Sequence, residues 1–298
     1  MDDYYSDANV RARIVEFLGG SSLAGASCHY LTTGDASDFQ HRRPLPVGDL
    51  IELFDRNVDI CRSLWDRLSL IADLDIEYVN FDYPAEPFLE PERIFDMQAP
   101  VERAVEELLL KFGIVPLHCL SGRGHHFVWR IRQDSATFAW LARLGHVPSS
   151  LWEMSARPHP PNDEAVSPSL TAAFAGLGLV MEYLAHRVKE IAAGRSGVPV
   201  ELTAVEVGSG HRGREMISVD VSEYGDPLHS RVMRVPFTYY LKPQYQSWQI
   251  GEELLRKLPG IFCIPLHEMS WREGIVTMRD PRMTMELAAR ASVGIPEF

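Results

Sequence analysis

The chain has 298 residues, of which 46% are hydrophobic and 23% are charged, and its formal net charge is −12. These proportions are ordinary for a globular protein and exclude a disordered or fibrous chain. Taken alone, the acidic balance argues against nucleic acid as a partner, because proteins that bind phosphates tend to be basic. However, residues 1–100 hold 8 basic and 19 acidic side chains, so the rest of the chain can still form a basic groove.

In chain order, hydrophobic spacing predicts helices at 8–18, 47–68, 99–113, within 135–196, at 251–258 and at 284–292. Strands are predicted at 69–81, 114–120, 125–131, 198–207, 214–224 and 232–241. Neither a repeat nor a convincing linker interrupts the series. The sequence therefore predicts one α/β body with helical additions.

The sequence also predicts a cytoplasmic protein without a membrane partner. No run approaches the ~18–20 consecutive apolar residues of a membrane span, and the acidic N-terminus lacks the apolar core of a secretory signal. The four cysteines form no CxxC pair, so the sequence suggests neither a zinc ribbon nor a disulfide framework.

The strand at 69–81 carries acids at alternate positions, Asp73, Asp75 and Glu77. Residues two apart on a strand share a face, so the three carboxylates lie together. They repel one another unless a cation lies between them, and their hard oxygen atoms suit Mg²⁺ or Mn²⁺. The alternative is the solvated face of an edge strand, although the apolar flanks favour a central strand.

A glycine-rich turn, SGRG, precedes His125 and His126. Glycines let the backbone approach a ligand closely and let successive N–H groups form an anion nest, while Ser121 and Arg123 add a hydroxyl and a charge. Because side chains alternate along a strand, only one histidine can share a site with Ser121. The alternative is a plain glycine hairpin with one packed histidine.

A further acid and a basic stretch follow. Asp220 ends the apolar run MISVD and can therefore lie at the end of a buried strand. Arg231, Arg234 and Lys242 come next, with Thr238 between them, and three cations interleaved with β-forming residues suit a polyphosphate. Taken singly, each is better explained as surface charge on a strand.

In this order, the motifs resemble the catalytic core of the archaeo-eukaryotic primase superfamily, the primase–polymerases. Asp73 and Asp75 match the family's DxD motif on an apolar strand. SGRGHH matches its SGxGxH motif, with Ser121 and His126 at the motif positions. Asp220 matches its single Asp after hydrophobic residues.

The resemblance covers about residues 40–245. The family's R…RxPxS…K stretch corresponds to RVMRVPFTYYLK, with Thr238 in place of serine. The cysteine/histidine zinc knot of many primase small subunits is not visible.

The resemblance implies an α/β (α+β) fold, with a primase-type catalytic core, an RRM-like or palm antiparallel sheet, an α/β N-terminal unit and helical additions. It implies a catalytic domain over residues 1–250, with a helical insert at about 135–196. A mixed or helical tail over 251–298 would pack on that domain.

The implied activity is nucleotidyl transfer by a DNA primase or primer-extending polymerase that uses NTPs or dNTPs. Asp73, Asp75 and Asp220 would hold two Mg²⁺ or Mn²⁺ ions about 3.5–4 Å apart. The nucleotide phosphates would be bound by Ser121, Arg123, His126, Arg231, Arg234 and Lys242. Glu77 shares the acidic face but matches no metal position of the family, which makes it a supporting acid.

The implied partners are a single-stranded DNA template and a separately encoded helicase or other replication protein. Three alternatives stay open at this stage. One is a catalytically silent nucleic-acid-binding replication module on the same fold, and another is a template-independent nucleotidyltransferase. A metal nuclease also needs clustered acids, but it explains neither the glycine turn nor the basic stretch.

Overall fold

A computed structural model describes residues 4–33, 43–205, 207–245 and 250–298. Within these ranges, the strands are β1 (Leu31–Thr33), β2 (Ile60–Ser63), β3 (Ser69–Asn80), β4 (Leu117–Leu120), β5 (Gly124–Arg132), β6 (Val200–Leu202), β7 (Glu215–Asp220), β8 (Val232–Arg234) and β9 (Ile264–Pro265). The longer helices are α1 (Ala8–Phe17), α2 (Leu50–Asp55), α3 (Glu86–Leu89), α4 (Pro91–Lys111), α5 (Ala136–Leu144), α6 (Ser149–Ser155) and α7 (Pro168–Ala192). The later helices are α8 (Lys242–Tyr245), α9 (Glu252–Leu255), α10 (Trp271–Thr277) and α11 (Pro281–Arg290).

The strands form two sheets. The larger has six strands in the order β6-β7-β3-β5-β4-β9, and the smaller has the order β1-β2-β8. Every pairing is antiparallel except that of β6 with β7. The mixed α/β class predicted from the sequence is confirmed.

Strand β3 lies in the middle of the larger sheet, between β7 and β5. Its first six residues are all buried, and burial alternates with partial exposure in its second half. The acidic strand is therefore central, as its apolar flanks indicated, and the edge-strand alternative is wrong.

Helices α4 and α7 cover the larger sheet. Helix α4 contacts β3 and β5, and α7 contacts α4, α5, β3, β6 and β7. Among the described helices, α7 alone is long and apolar enough to cross a membrane, but half of its most apolar window is buried within the structure. These contacts are those of a core helix in a globular domain.

The long helix predicted over 47–68 is wrong. Helix α2 ends at Asp55, and Asn57 then adopts a positive φ of 50°. The chain continues into β2, which pairs with both β1 and β8. A left-handed residue cannot continue an α-helix, and the apolar residues after it pack on neighbouring strands instead.

The strand predicted over 232–241 is confirmed only for Val232–Arg234. Phe237 is fully buried with a positive φ of 63°, and its backbone N–H donates to the Cys263 carbonyl. This turn ends the strand and directs Tyr240 and Lys242 towards the larger sheet. The strand predicted at 198–207 is likewise shorter, covering Val200–Leu202.

Residues after 250 pack on earlier parts of the chain. Helix α11 contacts α1, and α10 contacts α4. The Arg130 N–H donates to the Pro296 carbonyl at 2.8 Å, and the Ser292 hydroxyl donates to Glu16 at 2.5 Å.

Candidate active site

A row of polar residues crosses four strands of the larger sheet. Asp75 lies directly opposite Asp220 on β7 and opposite His126 on β5. His126 in turn lies opposite Cys119 on β4. Because residues paired directly across strands share a face, the pairing register brings the two acids and the histidine together.

Asp73 joins this row from the same strand as Asp75. Its Oδ2 lies 3.2 Å from His126 Nδ1, and Asp75 Oδ1 lies 3.7 Å from the same nitrogen. Tyr224 fixes the strand here because its hydroxyl donates to the Asp73 carbonyl at 2.8 Å. Asp220 is oriented by the Ser222 N–H, which donates to its Oδ1 at 2.9 Å.

His125 points to the opposite face. It is fully buried, and its ring centroid lies 5.2 Å from that of Phe95. His126 lines the cavity that holds the acids, together with Ser121. Strand alternation thus separates the two histidines as the sequence predicted.

The acids strain one another electrostatically. Burial, followed by the charges of Glu77, Asp73 and Asp220, raises the pKa of Asp75 well above its usual value. The side-chain atoms Asp73 Oδ1, Asp75 Oδ1 and Glu223 Oε1 are buried without a hydrogen-bond partner among the described residues. Buried oxygen atoms of this kind are costly unless a cation satisfies them.

His126 is the cation nearest to the acids. Burial lowers its pKa, but the carboxylates of Asp75 and Asp73 outweigh this effect and raise it to about 10. The imidazole is therefore protonated at neutral pH and offsets part of the acidic charge.

The glycine turn requires two close approaches. A Cβ atom on Gly124 would lie 2.0 Å from the Ile76 carbonyl oxygen, and one on Gly122 would lie 2.4 Å from the Tyr240 ring. The Ser121 N–H donates to the Gly124 carbonyl at 2.9 Å and closes the hairpin. Glycine at these positions lets the turn lie against β3 and Tyr240.

The basic side chains lie in the same cavity, but each is paired with an acid. Arg123 donates a short hydrogen bond to Glu77, and Lys242 Nζ lies 3.5 Å from the Glu77 carboxylate. Arg231 forms an ion pair with Asp226, while Arg234 pairs with the fully buried Asp59.

Glu77 and Lys242 titrate abnormally because of these pairs. Burial raises the pKa of Glu77, but Arg123 and Lys242 outweigh it and hold the pKa far below its usual range. Burial and Arg123 lower the pKa of Lys242 to about 8, against the opposing effect of Glu77. The positive charge that Lys242 contributes to the cavity therefore weakens as pH rises through 8.

One cavity of about 520 Å³ brings together every residue that the sequence predicted for the site. These residues are Asp73, Asp75, Asp220, Ser121, Arg123, His126, Arg231, Arg234 and Lys242. Thr238 is fully buried, and its hydroxyl donates to the Val235 carbonyl at 2.8 Å. It is therefore a structural residue of the turn and does not line the cavity.

Glu223 and Tyr240 are among the cavity residues that sequence reasoning missed. Burial and the charges of Asp73, Asp75 and Asp220 raise the pKa of Glu223 well above its usual value. Glu223 lies in the 3₁₀ turn Ser222–Gly225, which follows β7 and Asp220 almost directly. Tyr240 lies with its ring centroid 4.6 Å from the Arg234 guanidinium.

The acidic residues of the cavity fit hard divalent cations. They offer carboxylate oxygens from two adjacent strands, and two of these oxygens, on Asp73 and Asp75, are buried without a hydrogen bond among the described residues. Mg²⁺ and Mn²⁺ prefer this donor set. The repulsion that raises the pKa of Asp75 would be relieved by such ions.

Comparison with solved structures identifies one similar fold. The chain superposes on the polymerase domain of Mycobacterium tuberculosis Ligase D, in a structure of that domain in complex with DNA, with a TM-score of 0.50 and 13% sequence identity. The match covers 98% of this chain and 88% of that one. No family model and no curated protein matches the sequence. The likeness shows that the two chains share a fold.

Proposed function

We propose that the protein is a metal-dependent nucleotidyltransferase of the primase–polymerase type, which adds NTPs or dNTPs to a strand on a single-stranded DNA template. One observation carries the proposal. Asp73, Asp75 and Asp220 meet beside His126 in a cavity that four basic side chains also line. Acids that can hold metal ions beside bases that can hold phosphates suit a reaction between a hydroxyl group and a polyphosphate.

Asp73, Asp75 and Asp220 would hold the divalent ions. When bound, such ions supply positive charge that promotes attack by a 3′-hydroxyl and stabilises the leaving pyrophosphate. The contribution of the protein is to hold the carboxylates rigidly, through strand pairing and the Tyr224 hydroxyl.

Ser121, Arg123, His126 and Lys242 would contact the phosphates. The pairing of the three charged groups with acids keeps them in position before the substrate arrives, and charge that is already oriented stabilises a transition state most effectively. Phosphate oxygens would compete with Glu77 for Arg123 and Lys242, which releases these cations from an existing partner. In the same way, Arg231 would exchange its partner Asp226 for a phosphate, and Arg234 would exchange Asp59.

The wider arrangement belongs to the same proposal. Residues 1–250 would form the catalytic domain, with the helices within 135–196 as an insert and residues 251–298 as a tail packed on it. Template DNA would approach the basic side chains that line the cavity. A separately encoded helicase or other replication protein would supply the processivity that an acidic protein lacks.

The test is an incorporation assay. Labelled NTPs and dNTPs are supplied with a single-stranded template, with and without a primer, in Mg²⁺ and in Mn²⁺. We expect template-dependent products from the wild-type protein and from the control Asp134→Asn, which changes an exposed acid far from the cavity. Products without template would indicate a template-independent transferase, and DNA binding without products would indicate a silent binding module.

A further inference from the structure

A second cluster of metal-binding side chains lies behind the candidate active site. Glu102 of α4, His118 of β4 and His125 of β5 place one potential ligand atom each within 4.8 Å of one another. They lie on the sheet face opposite the aspartates, because His125 and His126 are adjacent on one strand and point in opposite directions. The cluster takes no part in the proposed nucleotidyl transfer.

The two imidazoles meet at their ring nitrogens. His118 Nε2 lies 2.8 Å from His125 Nδ1, and Glu102 Oε1 lies 3.9 Å from the same His125 nitrogen. Two nitrogens that share a tetrahedral Zn²⁺ at ~2.1 Å each are roughly 3.4 Å apart. If each imidazole ring moved by a few tenths of an ångström, the two nitrogens would therefore be far enough apart to bind one ion.

The cluster is buried and poorly satisfied. His125 is fully buried, and the nitrogen that it turns to the cluster, Nδ1, lies within hydrogen-bond distance of His118 Nε2. Glu102 is only 9% exposed. Within the described part of the chain, its carboxylate accepts no hydrogen bond, and its nearest ion-pair partner is the distant His125 nitrogen. A buried carboxylate aimed at two imidazoles without a strong partner is expensive unless a cation joins them.

Glu106 completes the arrangement from one turn further along α4. Its Oε1 lies 3.8 Å from His118 Nδ1, the nitrogen that faces away from His125. Histidines that bind metals usually donate their second N–H to a carboxylate, which sets the tautomer and the ring orientation. In this position Glu106 would keep His118 Nε2 unprotonated and free to bind an ion.

We propose that Glu102, His118 and His125 bind one Zn²⁺ ion, with Glu106 as a positioning residue and water in the fourth position. Imidazole with carboxylate suits zinc and related transition metals better than Mg²⁺. The ion would join helix α4 to the β4–β5 hairpin that also carries Ser121 and His126. Its main effect would be to stabilise the fold.

The experiment uses metal-free full-length protein and Co²⁺ as a spectroscopic substitute for Zn²⁺. Excess Mg²⁺ is present throughout, because it suits the all-oxygen aspartate site and not the imidazole site. We expect one equivalent of Co²⁺ to give a visible absorption band that Zn²⁺ abolishes by competition. Zn²⁺ should also raise the Tm of the metal-free protein, since a ligand of the native state stabilises it.

Single-residue variants distinguish Co²⁺ binding at this cluster from Co²⁺ binding at the aspartates. Glu102→Gln, which is close to isosteric, and His118→Ala should weaken Co²⁺ binding by at least ~100-fold, and Glu106→Gln should weaken it by about 10–100-fold. The control His146→Ala, at an exposed residue, and Asp75→Ala should keep the band. The proposal is overturned if wild-type protein gives no band, or if Glu102→Gln and Asp75→Ala bind Co²⁺ equally well. In either case, His118 and His125 form a simple hydrogen-bonded pair.

Discussion

Burial and the repulsion of neighbouring carboxylates raise the pKa of Asp75 well above its usual value. Asp75 lies between Asp220 and His126 across the sheet and beside Asp73 and Glu77 along its own strand. Repulsion of this kind is tolerated where a cation is to be bound, because the bound state relieves it.

The first prediction concerns Asp75→Ala. We expect nucleotide incorporation to fall by on the order of 10³-fold, a loss typical for removal of one group that stabilises transition-state charge. The free energy of unfolding without metal should stay the same or rise, since one of several mutually repelling acids is gone. Incorporation rates and urea unfolding measure the two effects. Near-wild-type incorporation would remove Asp75 from the metal site.

The second prediction compares the adjacent histidines. His126→Ala should lower kcat/KM by about 10²-fold, because the imidazolium beside Asp73 lines the cavity. His125→Ala should lower the free energy of unfolding but leave kcat/KM within about 3-fold at temperatures where the variant is folded, since its ring lies on the other face. The reverse pattern would mean that the alignment of SGRGHH with the SGxGxH motif is wrong by one residue.

At the level of elements, the pairing of β3 with β5 sets the distance between the acids and the histidine. Gly124 lies opposite Glu77 in this pairing. The backbone approach at this position is too close for any side chain. The turn therefore controls both the stability of the strand pair and the geometry of the site.

The third prediction is that Gly124→Ala destabilises the protein by about 1–3 kcal/mol, the usual cost of forcing extra volume into a packed position. The added Cβ would meet the Ile76 carbonyl at 2.0 Å and push β5 away from β3. Incorporation should fall as well, because His126 moves with β5. Gly48→Ala is the control, since nothing lies within 4 Å of its Cβ position. Equal stability of the two variants would contradict the close approach.

A stacked pair of histidines joins the segment after α6 to the 3₁₀ turn Leu228–Ser230. The rings of His159 and His229 lie 3.3 Å apart at 14°. Burial, and then the neighbouring His159, lowers the pKa of His229 to about 4. The native state therefore holds the His229 ring neutral at mildly acidic pH.

The fourth prediction concerns the pH dependence of this contact. The pKa of His229 is about 4 in the native state and 6.5 in its ordinary state, so the native state binds fewer protons between these values. Its contribution to stability is complete above pH 6.5 and is lost as pH falls towards 4. In His229→Asn, the free energy of unfolding should decline less over this range than in the wild type. If urea unfolding gave the same pH dependence of the free energy of unfolding for both proteins, the lowered pKa of His229 would be refuted.

For the molecule as a whole, the negative charge would limit the proposed DNA binding to the cavity region. The net charge is −12, and each of the four arginine and lysine side chains predicted to bind phosphate already has an acidic partner. Template that strays over the acidic first third of the chain would be repelled.

The fifth prediction follows from this balance. Single-stranded DNA should bind weakly, with two to four phosphate contacts and a slope of log affinity against log salt of about −1.4 to −2.8, at about −0.7 per contact. Lys242→Gln should reduce the slope by about 0.7. The control Arg195→Gln, at an exposed residue paired with Glu107, should leave it unchanged. No binding at low salt, with nucleotide and Mn²⁺ present, would defeat the template-directed proposal.

Local periodicity in the sequence was sufficient for several features. The alternation of apolar and acidic residues in β3 indicated which side chains share a face, and the same alternation in β5 separated His126 from His125. These features depend on neighbours a few residues apart, and such spacing is written directly in the sequence. The expected primase-type core came instead from the resemblance of the ordered motifs to a family.

Only the tertiary structure decided what depends on distant pairing. Strand register placed Asp220 opposite Asp75, and chain folding brought Asp59 to Arg234 across 175 residues of sequence. The same kind of pairing turned the predicted helix after Asn57 into a strand and placed Glu102 against two histidines. Local propensity is weak compared with burial and strand pairing. The sequence by itself therefore determined which faces carry the chemistry, and the tertiary contacts determined which of those groups meet.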